Sequence, residues 1–540
     1  MKNSTKEIKI LLQSKAPCIW VNSYEEEVVI NDIRKLVKEE FSGMSIKLWS
    51  HTEGLKSLPL VPVEKVDPPD TKMCNPKNML GSINAAQQVS TNPPTQSMFI
   101  LRDFHLMIES PDCKRALRDA KEYKANSYCP IVVISPLVSI PQEHEKLFTL
   151  VEYDLPNKEE VTHIVNNFCR NIQKSINEGK DYTIPTNEEK DALIKSFVGL
   201  TRAEIMSTSA RSIVEFKKLS LESIMKEKIS LVKKSGVLDY VIPRFNLDDI
   251  GGNRAFKEWL EEVEEAYTDT AIEFGCKKPK GYLALGIPGC SKTLGAEAIA
   301  KRWNVPLIKL NMSKIMSRFV GSSEQKIEQA FKVVKACAPC VFLMDEVEKA
   351  LSGTKSSNSS DSGTTSRVFA KVLEFLNDNS EVFVIMTSND VTQLPPELTR
   401  TGRVDAIWYF SLPTLPEREE IFSIHLNRTG KKLSKDLAKK ASEISENLTG
   451  AEIEEAVKIA MRKAYKRFKA DGKDLLKLSD IQEAMSEVIP LYVSSREKIL
   501  MLESWAEGRA RKTNKKEDNV TEKSIENDLL DDILSMDYDN

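Results

Sequence analysis

The sequence predicts an α/β protein: two modules, each with a parallel sheet flanked by helices, followed by a helical segment. Three observations carry this expectation. Strand-like apolar runs alternate with longer helical patterns, a set of landmarks from the first half recurs in the second, and apolar spacing changes to three and four residues after Pro413. The 540 residues leave room for about three or four domains.

Taken in order, the first module is expected over residues 1–235, with PCIWVNS, SIKLWS, MFILRD and PIVVISP as buried strands. Between them, LPLVPVEKVDPPDTKMCNP has little periodicity and reads as an irregular insertion. The second module is expected over 236–412, with strands at GYLALGIPG, PLIKLN, CVFLMDE and EVFVIMTSN. MFILRDFH parallels VFLMDEVE, VVISPLVSIP parallels VIMTSNDVTQLP, and FVGLTRAEI parallels ENLTGAEI. Such an order arises from duplication or from the general likeness of α/β domains. Under duplication the first module is a degenerate copy: no glycine-rich turn follows its first strand, and Asp103 precedes Phe104 rather than a second acid. Residues 413–510 read as a helical lid with C-terminal helices. Residues 511–540 read as an acidic, disordered tail in which ENDLLDDILSM can become a short partner helix.

Composition narrows the function classes. No apolar run approaches the roughly 18 residues of a membrane helix, and the apolar stretch in MKNSTKEIKILLQSKAP is too short and broken for a secretory signal. Nine cysteines, an odd number read as scattered without a C-x-x-C pair, suggest neither a disulfide framework nor a zinc site, so a reduced cytoplasmic setting is expected. The net charge of -3 offers no broad basic field for nucleic acid.

The chemistry is concentrated in the second module. GIPGCSKT places Gly286, Ile287, Pro288, Gly289, Cys290, Ser291, Lys292 and Thr293, with Leu294 following, between a strand and an amphipathic helix. That is the setting in which backbone N–H groups cradle a polyphosphate, a lysine reaches the β and γ oxygens and a hydroxyl coordinates magnesium. Ser291 departs from the pattern, which has glycine there; if the position needs positive φ, serine costs roughly 1 to 2 kcal/mol. CVFLMDE ends a strand with Asp345, suited to the magnesium shell, and Glu346, suited to orienting or deprotonating water. Asn389, at the end of EVFVIMTSN, can position that water. Arg400 and Arg403 in LTRTGRVD are candidates for completing a neighbouring subunit's site.

Together these motifs resemble the AAA branch of the AAA+ ATPases. The resemblance implies a P-loop AAA+ module with ATP and Mg2+ as cofactors and self-association into a ring, expected to be a hexamer. It extends upstream to FNLDDIGG, implying Asp249 and Gly251 near the adenine, and downstream to His425, Gly450 and Ala451 beside the nucleoside. It also implies a pore loop at Phe319, Val320 and Gly321 that grips a protein client, with a second candidate at Ser352–Ser366. A narrower resemblance covers nearly the whole chain. SKAPCIWVNSYEEEVVI, ILRDFH, SSDSGTTSRVFAKVLEFL and SSREKILMLESWAEGRARK look like poorly characterised AAA proteins of cyanobacteria and algal chloroplast genomes. The expected activity is ATP hydrolysis coupled to remodelling or translocating a protein client. The alternative is a nucleotide-dependent switch or scaffold that hydrolyses poorly. A DNA-directed machine is disfavoured, since such relatives usually carry an arginine where Gly450 and Ala451 stand.

Overall fold

The computed structural model describes residues 2–41, 43–60, 68–88, 96–122, 128–179, 181–315, 322–351, 362–378, 382–400, 402–429, 435–471 and 476–514. The chain divides into two compact units, Met1–Ser223 and Ile224–Asn540.

In the first unit the apolar runs form β1 (Cys18–Asn22), β2 (Met44–Ser50), β3 (Gly54–Leu58), β4 (Gln96–Arg102), β5 (Ile131–Ser135) and β6 (Phe148–Glu152). They make one sheet in the order β3-β2-β4-β5-β1-β6. All neighbours are parallel except β3, which pairs antiparallel with β2. Side chains alternate between faces, as the two-residue strand period requires: Trp20, Phe99, Leu101 and Val133 enter one core, and Ile19, Val21, Ile100 and Ile134 the other. Burial on both faces explains why these strands read as continuous apolar runs. The stretch expected to be an irregular insertion contributes the end of β3, and a short 3-10 helix at Thr71–Cys74 precedes the helix Pro76–Gln88. Asp70 closes this turn, its carboxylate accepting from Lys72 N at 3.0 Å. Helix propensity there is carried after the prolines, where a sequence window centred on them does not see it.

The second unit has β7 (Leu238–Val241), β8 (Gly281–Gly286), β9 (Leu307–Leu310), β10 (Cys340–Met344), β11 (Val382–Ser388), β12 (Ala406–Phe410) and β13 (Arg511–Lys512). Their order is β13-β12-β8-β11-β10-β9-β7. Only β7 runs antiparallel, against β9. Five parallel strands taken in chain order, β1, β2, β4, β5, β6 in one unit and β8 to β12 in the other, follow the same spatial sequence, second-third-fourth-first-fifth. The α/β class with parallel sheets and a helical C-terminal region is therefore what the chain adopts.

Two readings need correction. Residues 511–514 belong to the sheet rather than to a disordered tail: β13 pairs with the edge of β12, Thr513 is fully buried, and Ala255 N donates to Thr513 O at 3.0 Å. An edge strand's unpaired backbone groups recruit any segment that can meet them, and composition carries no trace of that. Residues 515–540, including ENDLLDDILSM, lie outside the described residues. Contrary to the reading of cysteines without a C-x-x-C pair, Cys337 and Cys340 stand in that spacing, yet they form no disulfide and are buried in the core of the second unit.

The C-terminal helices Leu415–Arg428, Lys435–Glu443, Gly450–Asp471 and Leu478–Glu487 pack around Phe422, Ile453, Val457 and Ile481. The helix Gly450–Asp471 starts with a reciprocal cap in which Thr449 N donates to Glu452 Oε2 at 2.7 Å and Glu452 N to Thr449 Oγ1 at 3.3 Å. In the first unit Thr201 and Glu204 make the same cap. The recurring LT-x-A-E pattern thus records a shared helix start.

Candidate functional site

A cavity of about 390 Å³ opens at the carboxyl ends of β8, β10 and β11, bounded on the other side by the C-terminal helices. Such ends are where open parallel sheets place their ligand sites. Of the residues singled out in the sequence, Asp249, Gly251, Pro288, Gly289, Ser291, Lys292, Thr293, Leu294, Asp345, Glu346, Asn389, His425, Gly450 and Ala451 line it.

The loop after β8 owes its path to two constraints. Gly289 has φ 84°, and a Cβ there would stand 3.0 Å from Thr449 Oγ1 and 3.1 Å from Ala451 Cβ. Ala451 N donates to Gly289 O at 3.2 Å, tying the loop to the lid helix. Ser291 has φ 66° and ψ 9°, the left-handed conformation, and its hydroxyl caps no helix N–H. The helix Lys292–Arg302 follows directly. Lys292 is buried and donates to Gly286 O at 2.8 Å and Ile287 O at 2.7 Å. Burial brings its pKa down to about 8. Cys290 packs into the core behind the loop, where burial pushes its thiol up to about 12.

Across the cavity, Asp345 Oδ1 accepts from Thr293 Oγ1 at 3.3 Å and from Thr387 Oγ1. Its other oxygen, Oδ2, accepts from Lys309 Nζ at 2.6 Å. Burial alone would raise the Asp345 pKa, but the Lys309, Thr387 and Thr293 contacts outweigh it and hold the carboxyl below its ordinary value. Glu346 sits at φ 52°, its N–H donating to Thr387 Oγ1 at 2.9 Å. That turn carries its side chain to Asn389 Nδ2 at 3.5 Å and Lys349 Nζ at 2.6 Å. Asn389 N donates to buried Glu348 Oε1 at 3.1 Å. Asn389 Oδ1 and Glu348 Oε2 are buried atoms without a protein partner among the described residues, and such atoms call for water or ligand.

These donors fit a nucleotide with its metal. No group of three or more His, Cys, Asp or Glu able to hold a metal occurs among the described residues, so a divalent cation here would draw mainly on Thr293, Asp345, phosphate oxygens and water, the pattern magnesium favours.

At the far end of the cavity, Asp249 accepts from Asn246 N at 2.7 Å and from Arg428 Nη2 at 2.8 Å, and these two partners lower its pKa. A Cβ on Gly251 would fall 2.6 Å from Ile421 Cγ1, so glycine lets this strap lie against the lid helix. Burial lowers the His425 pKa, favouring the neutral ring. Sequence reasoning missed Phe245, Thr387, Ile421, Arg428 and Glu454 on the cavity wall. Arg428 follows His425 by three residues on the helix Leu415–Arg428 and so shares its face. Thr387 was legible, with Ser388, as one of two hydroxyl residues ending an apolar strand.

Arg400 is exposed, while Arg403 Nη1 donates to Leu373 O at 2.9 Å; neither lines the cavity. Phe319, Val320 and Gly321, and residues 352–361 of the serine-rich segment, lie outside the described residues. Residues 362–366 begin the helix Ser362–Asp378.

The first unit presents a different set at matching places. Ser135 Oγ donates to Leu137 O and accepts from Leu137 N, as Ser388 Oγ does with Asp390. Asp103 has φ 50°. These two features equate Asp103 with Glu346, and therefore Arg102 with Asp345 and Pro136 with Asn389, correcting the reading that matched Asp103 to the first acid. Where the second unit has its glycine-rich loop, the first has Ser23–Glu25, and Glu25 Oε1 accepts from Ala203 N at 3.3 Å.

Comparison with known proteins gives three matches to described families. Residues 282–412 match the ATPase family associated with various cellular activities (AAA). Residues 4–153 match the N-terminal domain, and 159–235 the second domain, of SpoVK-like AAA ATPases. Among similar proteins, the "Uncharacterized AAA domain-containing protein ycf46" of Guillardia theta is 32% identical over 506 residues, covering 93% of this chain and 94% of the relative. Its counterpart in Trieres chinensis is 30% identical over 516 residues, 94% of this chain and 98% of the relative. The "Cell division cycle protein 48 homolog" of Archaeoglobus fulgidus is 31% identical over 267 residues, 47% of this chain and 36% of that protein. No helix among the described residues is long and apolar enough to cross a membrane.

Proposed function

The chain belongs to the AAA ATPases and, along nearly its whole length, to the uncharacterised AAA proteins named ycf46; on that premise we propose that it binds ATP with magnesium and hydrolyses it in the cavity above β8, β10 and β11. The observation that carries this reading is the convergence of Lys292, Thr293, Asp345, Glu346 and Asn389 on one cavity from three chain segments. Magnesium, when bound, would offset phosphate charge and orient the β and γ oxygens. In this proposal the loop N–H groups from Gly289 to Thr293 hold the phosphates, and Lys292 exchanges its two carbonyl partners for phosphate oxygens. Thr293 and Asp345 hold the metal side. Glu346 takes a proton from water that Asn389 orients with its unpaired Oδ1. Asp249, Gly251, His425, Gly450 and Ala451 wall the nucleoside end.

We further propose that the chain assembles into a ring, as a hexamer, that remodels or translocates a protein client. Arg400 and Arg403 would then complete a neighbour's site, a role supported by their position away from the chain's own cavity. The pore loop at Phe319, Val320 and Gly321 would grip the client. Nine cysteines without a disulfide among the described residues fit a reducing compartment, and we propose the cytoplasm as the setting. A second reading, a switch that hydrolyses slowly, is favoured by one observation, the serine held at positive φ in the phosphate loop. Paired variants test the main reading. Glu346→Gln is expected to retain ATP binding while losing at least about a hundredfold in turnover, and Lys292→Ala to lose binding itself. Turnover unchanged in Glu346→Gln would refute the assigned base.

A further inference from the structure

Lys309 belongs to no motif that assigns it a role, yet it holds the acid expected to face the metal. It lies on β9 opposite Leu343 of β10 and reaches the residue just past the end of that strand, its Nζ 2.6 Å from Asp345 Oδ2. Because Oδ1 is engaged by Thr293 and Thr387, both oxygens of this carboxylate are occupied, one of them by a full positive charge. The pair is not sealed in the core. About a third of the Lys309 side chain, 35%, and 19% of Asp345 remain accessible, so the ammonium can withdraw into solvent without a buried charge being stranded. Lys349 and Glu346 form a second pair, Nζ to Oε2 at 2.6 Å, but Lys349 is exposed and three residues along the same turn, an ordinary surface arrangement.

We propose that Lys309 is a resident cation of the metal site: a positioning residue that keeps Asp345 aimed at the cavity and competes with magnesium for it. The inference rests on the ATPase reading and adds a regulation to it. A fixed charge at the carboxylate lessens what a divalent cation gains there, so the magnesium concentration needed for tight nucleotide binding is set high. The same charge adds to the field that attracts phosphate when metal is scarce.

The test is equilibrium binding of a fluorescent ADP to the full chain, titrated with magnesium from an EDTA baseline, without any turnover. Lys309→Met is expected to lower the magnesium concentration at half effect about tenfold and to weaken binding in EDTA. Lys309→Arg, which keeps the charge, is expected to behave as the unaltered chain. Lys309→Gln, smaller in its change, repeats the neutral substitution should the methionine variant not fold. A half-effect magnesium concentration that does not move in the neutral variants overturns the inference while leaving the ATPase reading intact. An arginine variant that shifts as far as the neutral ones also overturns it, by removing charge as the cause. If the unaltered chain binds no nucleotide at any magnesium concentration, the ATPase reading fails and the inference falls with it.

Discussion

Ser291 occupies a backbone conformation that suits glycine, φ 66° and ψ 9°, with no hydrogen bond from its side chain to the helix it precedes. The strain is local, since the next residue opens a regular helix and Lys292 is held by two carbonyls of the same loop. Replacing Ser291 with Gly is expected to stabilise the second unit by about 1 kcal/mol, read as a raised melting temperature. A lowered or unchanged value would mean that the loop accommodates serine without strain, removing the motive for the slow-switch reading. At the same scale, Thr387 explains the geometry of the paired acids: one hydroxyl donates to Asp345 and accepts from Glu346 N. The left-handed turn at Glu346 then separates the two carboxylates in direction.

At the scale of elements, the seven-stranded sheet depends on β13, which follows the helix Arg496–Ala506 and closes the β12 edge. Asn514 Nδ2 donates to Ser411 Oγ at 3.2 Å, so the closure continues past the strand into the loop leading to the lid. A chain ending at Ala510 is therefore expected to melt several degrees below one ending at Asn514, the loss of about 1 to 2 kcal/mol of pairing and burial. Equal melting temperatures would show that β13 adds no stability. The helix starts are better recorded in sequence than the edge strands are. Thr201 with Glu204 and Thr449 with Glu452 announce their capping boxes by spacing alone. The two-residue β13 has neither length nor alternation to announce it.

At the scale of the molecule, the two units share five-strand order but not chemistry. In the first, Arg102 stands where Asp345 does in the second, and its guanidinium lies 3.5 Å from Glu26 Oε2 and pairs also with Glu27. Glu25 holds the helix N–H of Ala203, whose counterpart in the second unit faces Gly289. Carboxylates in that place repel phosphate rather than cradle it. With Arg400 and Arg403 outside the cavity of their own chain, the ring reading makes activity a property of the assembly. ATP turnover per chain is expected to rise with protein concentration, steeply at first and then to a plateau. Turnover per chain that stays constant across the range would refute trans-acting arginines.

The sequence by itself determined the α/β class and singled out the turn from Gly286 to Thr293, the paired acids and Asn389 as candidates that line one cavity, while His425, Gly450 and Ala451 came from the family resemblance. The first of these announce themselves through local rules: continuous apolar runs for doubly covered strands, glycine and lysine at a strand-to-helix turn, acids at a strand end. Only the tertiary structure decided which residues meet across strands far apart in sequence. Lys309 reaches Asp345 from the neighbouring strand, Arg428 reaches Asp249 from the lid, and Arg511 and Lys512 join β12 from beyond the last helix. The physical reason is common to all three. Local propensity and periodicity report the conformation of a segment, whereas a contact between segments depends on strand order and register, which side-chain burial over the whole unit selects.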